Sequence, residues 1–155
     1  MAINKLLKSP RETAALARTL AQVFMYLGPS HKGATVVGLV GDLGAGKTSF
    51  TKTFLRTFGV KTHVVSPTFV IMRSFALPAR KRNGFRAAHH VDAYRIDARA
   101  LKQMNFGEYL ADSRNIILIE WADRIKKALP KSTFWIEMGH GRHHKERIFS
   151  LKFKD

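Results

Sequence analysis

The residues at positions 41–48 have the sequence GDLGAGKT, and this stretch decides the fold. It matches G-x-x-x-x-G-K-[ST], a glycine-rich loop whose backbone N–H groups surround phosphates. Small and β-branched residues at 34–40 precede the loop and predict a strand, and Phe50, Phe54 and Phe58 follow it at helical spacing. Strand, loop and helix in this order bring the loop amides and the positive end of a helix to one place. A polyphosphate can bind there.

Further elements alternate along the chain in both directions from this loop. Ser9, Pro10 and Glu12 have the residue types of a helix N-cap, first position and third position. The predicted helices are 9–27, 47–58, 97–106 and 121–129, and the predicted strands are 35–40, 70–72, 85–91, 115–120, 133–138 and 147–153. A basic hairpin turn is predicted at 77–84 and another turn at 139–145. We therefore predict an α/β fold like that of P-loop NTPases, a three-layer sandwich whose central sheet mixes parallel and antiparallel strands.

Composition bounds the kind of protein. With 155 residues, 45% of them hydrophobic, the chain is long enough to bury a core, and we expect one domain over residues 1–155. It has no cysteine, which excludes disulfides, thiolate metal ligands and thiol nucleophiles. The first residues lack the apolar core of a signal peptide, and no stretch approaches the roughly 18 apolar residues of a membrane span. We expect a cytoplasmic protein.

The charge is strongly basic. Lys and Arg number 27 against 11 Asp and Glu, which gives a net charge of +16. No acidic residue lies between Asp42 and Asp92. Such an excess favours a polyanionic partner, because binding releases counterions from the polyanion. Direct contact with RNA or DNA is the interpretation we favour, and a solvated basic surface is the alternative.

The loop motif assigns roles to individual residues. Lys47 is expected to reach the β- and γ-phosphates, and the Thr48 hydroxyl is expected to bind Mg²⁺. Gly44 and Gly46 allow the backbone to turn so that its amides face the phosphate. Residues 42–49 are therefore the predicted phosphate contacts.

Such a site needs an acidic partner for the metal at the end of a neighbouring strand. Glu120 closes the apolar run 116–119, and Asp92 closes the segment 87–91 in the same way. We assign Glu120 to the metal, directly or through water, and Asp92 to the outer shell of the metal or to positioning the attacking water. For each carboxylate, capping of the following helix is the alternative.

Other polar and aromatic residues allow two interpretations. Thr68, in the stretch SPTF at 66–69, has the place of a switch threonine that senses the γ-phosphate, or belongs to an ordinary turn. Trp121 lies near the nucleotide, at an interface or in the core. For the histidines we favour loop positions that contact nucleotide or RNA over a zinc site. These histidines are His89, His90, His140, His143 and His144.

Four motifs occur in a fixed order: GDLGAGKT at 41–48, SPTF at 66–69, HVDAYR at 90–95 and IEWAD at 119–123. The set closely resembles the TsaE family, small ATPases of bacterial tRNA threonylcarbamoyladenosine biosynthesis. The resemblance covers nearly the whole chain. Jointly the four motifs are specific, although many families share the first of them.

The resemblance implies slow hydrolysis of ATP with Mg²⁺ and action on a TsaB–TsaD heterodimer, which modifies tRNAs that read ANN codons. It implies Thr48 and Glu120 as metal ligands and Lys47, Thr68, Asp92 and Glu120 as catalytic residues. The nucleotide contacts that follow from the motif and the resemblance are Pro10, Thr13, Asp42, Leu43, Gly44, Ala45, Gly46, Lys47, Thr48, Ser49, Asp123, His143 and His144. A partner membrane or DNA is not expected.

The chain departs from the family pattern in three places. Phe69 stands where the family more often has Tyr, and Ala122 stands where it often has Pro. A basic insert, Arg80-Lys81-Arg82, adds to the high net charge. The insert suggests that tRNA, or an acidic face of the partner, meets this protein directly.

Two other functions are compatible with parts of the sequence. A small P-loop kinase acting on a nucleoside or another small molecule would use the same loop, with the basic insert as a lid. A non-catalytic RNA-binding module would retain only a vestigial nucleotide site. Within the site no arginine finger is evident, so Arg95 or a partner residue would have to supply one.

Overall fold

A computed structural model describes residues 2–64, 70–78 and 83–152. The helices and strands of these residues are β1 (Ala2–Leu7), α1 (Pro10–Leu27), β2 (Thr35–Val40), α2 (Lys47–Thr57), β3 (Met72–Ala76), β4 (Ala87–Asp92), α3 (Ala98–Gln103), α4 (Phe106–Ala111), β5 (Asn115–Glu120), a 3₁₀ helix (Ala122–Ala128), β6 (Phe134–His140) and β7 (Arg147–Lys152). None of the helices in these ranges combines the length and the apolar character needed to cross a membrane.

The strands form one sheet in the order β1-β7-β6-β2-β5-β4-β3. The four central strands, β6, β2, β5 and β4, are parallel to one another, and β7, β1 and β3 join the sheet by antiparallel pairing. The predicted mixed α/β sheet is therefore confirmed. Because parallel strands end at the same edge, the loop after β2 lies beside the ends of β5 and β4.

Helices cover both faces of the sheet, as the alternation along β5 shows. Ile116 and Leu118 belong to the core under α1 and α2, while Ile117 and Ile119 belong to the core under α3, α4 and the 3₁₀ helix. All six residues of β5 are buried, as expected for a central strand with two covered faces. This arrangement is the predicted three-layer sandwich.

Aromatic rings hold α2, the helix that follows the phosphate-binding loop, against its neighbours. Phe54 stacks on Phe58 at 5.3 Å between ring centroids and lies 5.9 Å from Phe24 of α1. Phe50 stacks on Phe149 of β7 at 6.2 Å. These rings are the apolar face that the helical spacing predicted, and their burial gives the loop a rigid support.

The start of α1 follows the predicted pattern. Ser9 has an extended backbone, and its hydroxyl accepts a hydrogen bond from the N–H of Glu12, while Pro10 occupies the first turn. Ser9→Ala removes this acceptor, so we expect the free energy of unfolding to fall by about 1 kcal/mol. The melting temperature should fall by about 2–4 °C.

Thr19→Ala is the matched control for the Ser9 variant. Thr19 is solvent-exposed and lies in the middle of the same helix, where Ala has a higher helix propensity than Thr. Thermal unfolding of both variants should therefore show a loss for Ser9→Ala only. Equal melting temperatures in the two variants would contradict the capping role of Ser9.

The structure differs from the predicted elements at three places. β1 was not predicted, and it forms by antiparallel pairing with β7, with Leu7 opposite Arg147. The helix predicted at 97–106 is the shorter α3, which ends before Asn105, a residue in a left-handed conformation. A second helix, α4, follows that was not predicted, and Gly107 lies inside it instead of beyond a helix end. The predicted helix at 121–129 is a 3₁₀ helix.

Histidines 89 and 90 also differ from the prediction. Both lie in β4 and are buried, so the expected loop position is wrong for them. It is wrong for His140 as well, because β6 continues through the first two residues of the turn predicted at 139–145 and ends at His140. β3 and β4 pair antiparallel, as the predicted hairpin requires. β3 begins at Met72, however, which is where the predicted strand 70–72 ends. Thr68, Phe69 and the insert Arg80-Lys81-Arg82 lie outside the described residues.

Candidate functional site

The loop between β2 and α2 turns sharply, and its glycines permit the turn. Gly41, Gly44 and Gly46 have φ angles of 148°, 75° and 102°, values that residues with a side chain rarely adopt. Gly46 is the N-cap of α2, which begins at Lys47. The first N–H groups of that helix have no partner within it, and they carry the positive end of the helix dipole.

Gly41 leaves no room for a side chain. A Cβ at this position would lie 2.0 Å from the carbonyl oxygen of Met138 in β6. We expect Gly41→Ala to lower the free energy of unfolding by about 2 kcal/mol, because the backbone of β6 or of the loop must move. Thermal unfolding measures the change.

The control for this substitution is Gly107→Ala. Gly107 is inside α4, and among the described residues no atom beyond its chain neighbours and the backbone of its own helix lies within 4 Å of a Cβ built there. Ala in a helix interior stabilises by about 0.5–1 kcal/mol relative to Gly, so the two variants should differ in sign. A Gly41→Ala protein as stable as the wild type would show that the loop accommodates a side chain.

Lys47 lies against its own loop. Its Nζ donates hydrogen bonds to the carbonyl oxygens of Gly41 and Asp42 at 2.5 and 2.9 Å, and lies 3.8 Å from the centre of the Trp121 ring. Burial lowers the pKa of Lys47 below its usual value, while nearby carboxylates, Glu120 foremost, act in the opposite direction. A cation that has already lost much of its water can exchange neutral carbonyls for phosphate oxygens at a small desolvation cost.

The β6–β7 hairpin supports the loop from another side. The Nε2 of His140 lies 3.1 Å from the carbonyl oxygen of Leu43, and Arg147 donates from Nη2 to the carbonyl oxygen of Gly44 at 3.0 Å. Together with the bonds of Lys47, these contacts bind four successive loop carbonyls. His140 and Arg147 thereby hold the loop in a conformation in which its N–H groups can face an anion.

The two carboxylates predicted at strand ends lie side by side. Asp92 ends β4 and Glu120 ends β5, and the two residues are opposite each other in the parallel register. Both are buried, at 6% and 2% exposure. Oε2 of Glu120 accepts a hydrogen bond from the Thr48 hydroxyl at 2.8 Å, and Oδ1 of Asp92 accepts one from the N–H of Tyr94 at 2.9 Å. The structure thus brings Thr48, Glu120 and Asp92 to one edge of the sheet.

This donor set fits a magnesium ion. Mg²⁺ prefers oxygen ligands and is usually held in proteins by one or two carboxylates together with substrate phosphates. Thr48 and Glu120 supply a hydroxyl and a carboxylate in direct contact, and Asp92 supplies a second carboxylate nearby. Among the described residues no group of three or more His, Cys, Asp or Glu side chains is arranged to hold a metal ion.

A cleft of about 370 Å³ opens over the loop. Its walls combine the loop, the start of α2 and the ends of β4 and β5. The lining residues are Leu43, Gly44, Gly46, Lys47, Thr48, Ser49, Asp92, Tyr94, Arg95, Glu120 and Trp121. Cation, hydroxyl and carboxylate groups therefore converge on one space beside the positive end of α2.

A second cavity of about 160 Å³ lies between the loop and α1. Its lining is Pro10, Thr13, Ala14, Gly44, Gly46, Ser49, Thr53, Lys145 and Arg147. Gly44, Gly46 and Ser49 line both cavities. A ligand bound along the loop can therefore extend from the cleft to the start of α1, where Pro10 and Thr13 were expected to contact nucleotide.

Some of the expected nucleotide contacts are not among the residues that line these two cavities. Ala45 is fully buried and packs in the core. Asp123, His143 and His144 are exposed and are not among the residues that line these two cavities, although Lys145, next in the chain, lines the second. Asp123 is close enough for its charge to oppose, together with the other carboxylates, the lowering of the Lys47 pKa by burial.

Sequence reasoning missed the roles of two residues of the site, and it did not name a third. The Nε2 of His90 lies 2.7 Å from Oε1 of Glu120, whereas the sequence suggested a loop histidine. The alternation along β4 was the available signal, since His90 and Asp92 are two residues apart and share a face. His140 and Arg147 support the loop from about 100 residues away along the chain. His140 was expected in a turn that contacts nucleotide or RNA, and no local pattern pointed to Arg147.

Comparisons with known proteins agree with this geometry. A family model described as "Threonylcarbamoyl adenosine biosynthesis protein TsaE" matches residues 7–148. The tRNA threonylcarbamoyladenosine biosynthesis protein TsaE of Bacillus subtilis is 34% identical over 128 residues, which are 83% of this chain and 72% of that protein. The protein of the same name from Rickettsia conorii is 38% identical over 125 residues, which are 79% of this chain and 63% of the relative.

A solved structure is similar over nearly the whole chain. The crystal structure of Bacillus subtilis YdiB has a TM-score of 0.75 and 27% sequence identity, and the match covers 99% of this chain and 86% of that one. The family model covers most of the chain as well, and the four sequence motifs lie inside the matched residues. From its motifs, its fold and these similarities, the chain belongs to the TsaE family of threonylcarbamoyl adenosine biosynthesis proteins.

Proposed function

We propose that this protein is a Mg²⁺-dependent ATPase that acts in tRNA threonylcarbamoyladenosine biosynthesis. The observation that carries the proposal is the 2.8 Å hydrogen bond between the Thr48 hydroxyl and Glu120. It joins the end of the phosphate-binding motif to a carboxylate 72 residues further along the chain, and both residues line the same cleft as Lys47. P-loop NTPases hold the metal of Mg·ATP with such a hydroxyl and a strand-end acidic residue.

In the proposed reaction ATP and water give ADP and phosphate. Lys47 leaves the carbonyls of Gly41 and Asp42 and binds the β- and γ-phosphates, while the N–H groups at the start of α2 bind phosphate oxygens. Thr48 and Glu120 would hold the Mg²⁺. When bound, the ion would neutralise charge that develops on the phosphate oxygens.

Asp92 is proposed to orient the attacking water. Its carboxylate is buried at the end of β4 and lines the cleft beside Glu120, and its Oδ1 accepts the Tyr94 N–H. A hydrogen-bonded, buried carboxylate stays in one orientation, which is what a water-positioning residue requires. The role of Thr68 in sensing the γ-phosphate remains a prediction.

The proposed partners are the TsaB–TsaD heterodimer and tRNA. The net charge of +16 and the family membership support them. The relatives from Bacillus subtilis and Rickettsia conorii bear names that place them in tRNA threonylcarbamoyladenosine biosynthesis. ATP hydrolysis would then serve the complex that transfers the threonylcarbamoyl group, in the cytoplasm.

Phosphate release from ATP tests the proposal. The purified protein is incubated with ATP, with Mg²⁺ or EDTA, and with or without TsaB–TsaD and tRNA. We expect slow release that requires Mg²⁺ and needs no acceptor molecule. Phosphate transfer to a nucleoside without phosphate release would favour a kinase, and no ATP binding in either buffer would exclude an ATP-dependent role.

A further inference from the structure

His90 is a buried histidine in direct contact with the proposed metal-binding carboxylate. It lies in β4, and its residue is 0% exposed. The Nε2 atom is 2.7 Å from Oε1 of Glu120, whose other oxygen, Oε2, accepts the Thr48 hydroxyl. The carboxylate of Glu120 is therefore held on both of its oxygens, by groups from two different elements.

The hydrogen-bonding capacity of these groups defines the direction of the contact. An ionised carboxylate oxygen only accepts, so the Nε2 of His90 donates. The Nδ1 of His90 is buried and has no hydrogen-bond partner among the described residues. Among the described residues, the hydrogen bond of the His90 ring is therefore the one to Glu120.

We propose that His90 is a positioning residue: its Nε2–H fixes Oε1 of Glu120 and thereby keeps Oε2 directed at the Thr48 hydroxyl and the metal. This inference rests on the proposed function. A glutamate side chain loses rotamer entropy when it is held in one conformation. A donor that already holds the carboxylate removes that cost from the metal-binding step, as partners of metal ligands generally do.

The alternative is a histidine that only fills the core, and the neighbouring His89 provides the comparison. His89 is also buried, at 4% exposure, but adjacent residues of a strand face opposite sides of the sheet. Its Nδ1 lies 2.8 Å from Ser74 Oγ, and its ring packs on Tyr109 at 4.9 Å between centroids. It has the burial of His90 without the contact to Glu120.

Two amide substitutions separate positioning from packing. The amide nitrogen of Gln is as many bonds from Cα as the Nε2 of His, while the amide nitrogen of Asn ends at the position of Nδ1. His90→Gln therefore keeps a donor within reach of Glu120, and His90→Asn does not. His89→Gln and His89→Asn are the matched controls on the other face.

The readout is the dissociation constant of ATP, measured by calorimetry with Mg²⁺ and with EDTA. We expect His90→Asn to reduce the gain in affinity that Mg²⁺ provides by about 10- to 100-fold, with the affinity in EDTA unchanged. His90→Gln should stay close to the wild type, as should both His89 variants. Equal Mg²⁺ dependence in His90→Gln and His90→Asn would overturn the inference.

A measurement on the wild-type protein applies even where a variant does not fold. The ¹⁵N resonances of the His90 ring should show a hydrogen on Nε2, and they should move when Mg²⁺ is added to the ATP complex. Those of His89 should not move. Unchanged His90 resonances would also overturn the inference, whereas a wild type whose ATP affinity ignores Mg²⁺ would instead refute the proposed function.

Discussion

Lys47→Ala should lower the rate of ATP hydrolysis by about 100- to 1,000-fold, the loss that follows removal of one preorganised charge-stabilising group from an active site. Lys47 is the cation that lines the loop side of the cleft, and among the described residues its Nζ is held by neutral carbonyls and the Trp121 ring. It can therefore turn to the phosphates as charge develops on them. Phosphate release at saturating Mg·ATP measures the effect.

Lys52→Ala is the control for this result. Lys52 lies in the same helix, is half-buried, and is not among the residues that line either cavity. Its removal takes away the same charge from α2 and should leave the hydrolysis rate unchanged. A Lys47→Ala protein that hydrolyses ATP at the wild-type rate would show that the phosphate-binding motif is not the site of the reaction.

Glu120→Gln should reduce the effect of Mg²⁺ on ATP affinity by about 100-fold. The substitution keeps the size of the side chain and one oxygen acceptor, but it removes the negative charge that faces the Thr48 hydroxyl at 2.8 Å. A neutral amide is a weak ligand for a hard cation that prefers carboxylate oxygens. ATP binding measured by calorimetry in Mg²⁺ and in EDTA gives the size of the effect.

Glu137→Gln controls for the loss of one negative charge. Glu137 lies on β6, is 46% exposed at its side chain, and pairs with Lys152 at 2.7 Å. An exposed pair contributes about 0–1 kcal/mol, so this variant should bind Mg·ATP as the wild type does. If Glu120→Gln and Glu137→Gln had equal affinities in Mg²⁺, the metal would be held by other groups.

The part of the fold that the sequence predicted best depends on contacts between near neighbours in the chain. α1 begins at Pro10 with Ser9 as its cap, and β5 runs from Asn115 to Glu120, both as predicted. The loop and its glycines also follow from the sequence, because only a residue without a side chain tolerates the φ of Gly41 or Gly46. Capping, periodicity and turn chemistry are local, so a local pattern is sufficient to find them.

Other elements could not be predicted because the local sequence signals for them are weak. The residues of β1 lack a clear alternation, and the strand exists because its backbone pairs with β7, about 140 residues later. The break between α3 and α4 depends on one residue, Asn105, which adopts a left-handed conformation. The pairing of β1 with β7 lies outside any local window of sequence, and a single asparagine is too weak a signal to predict where a helix breaks.

The sequence by itself determined which chemical groups are available at the ends of β2, β4 and β5, since each group follows an apolar strand and parallel strands end at one edge. Only the tertiary structure decided how those groups are held. Three contacts show this. They join His90 to Glu120, Arg147 to Gly44 and Trp121 to Lys47, pairs that are 30, 103 and 74 residues apart in the chain. Such contacts arise from the order of the strands in the sheet. Each of them stabilises the protein only after the whole sheet has assembled.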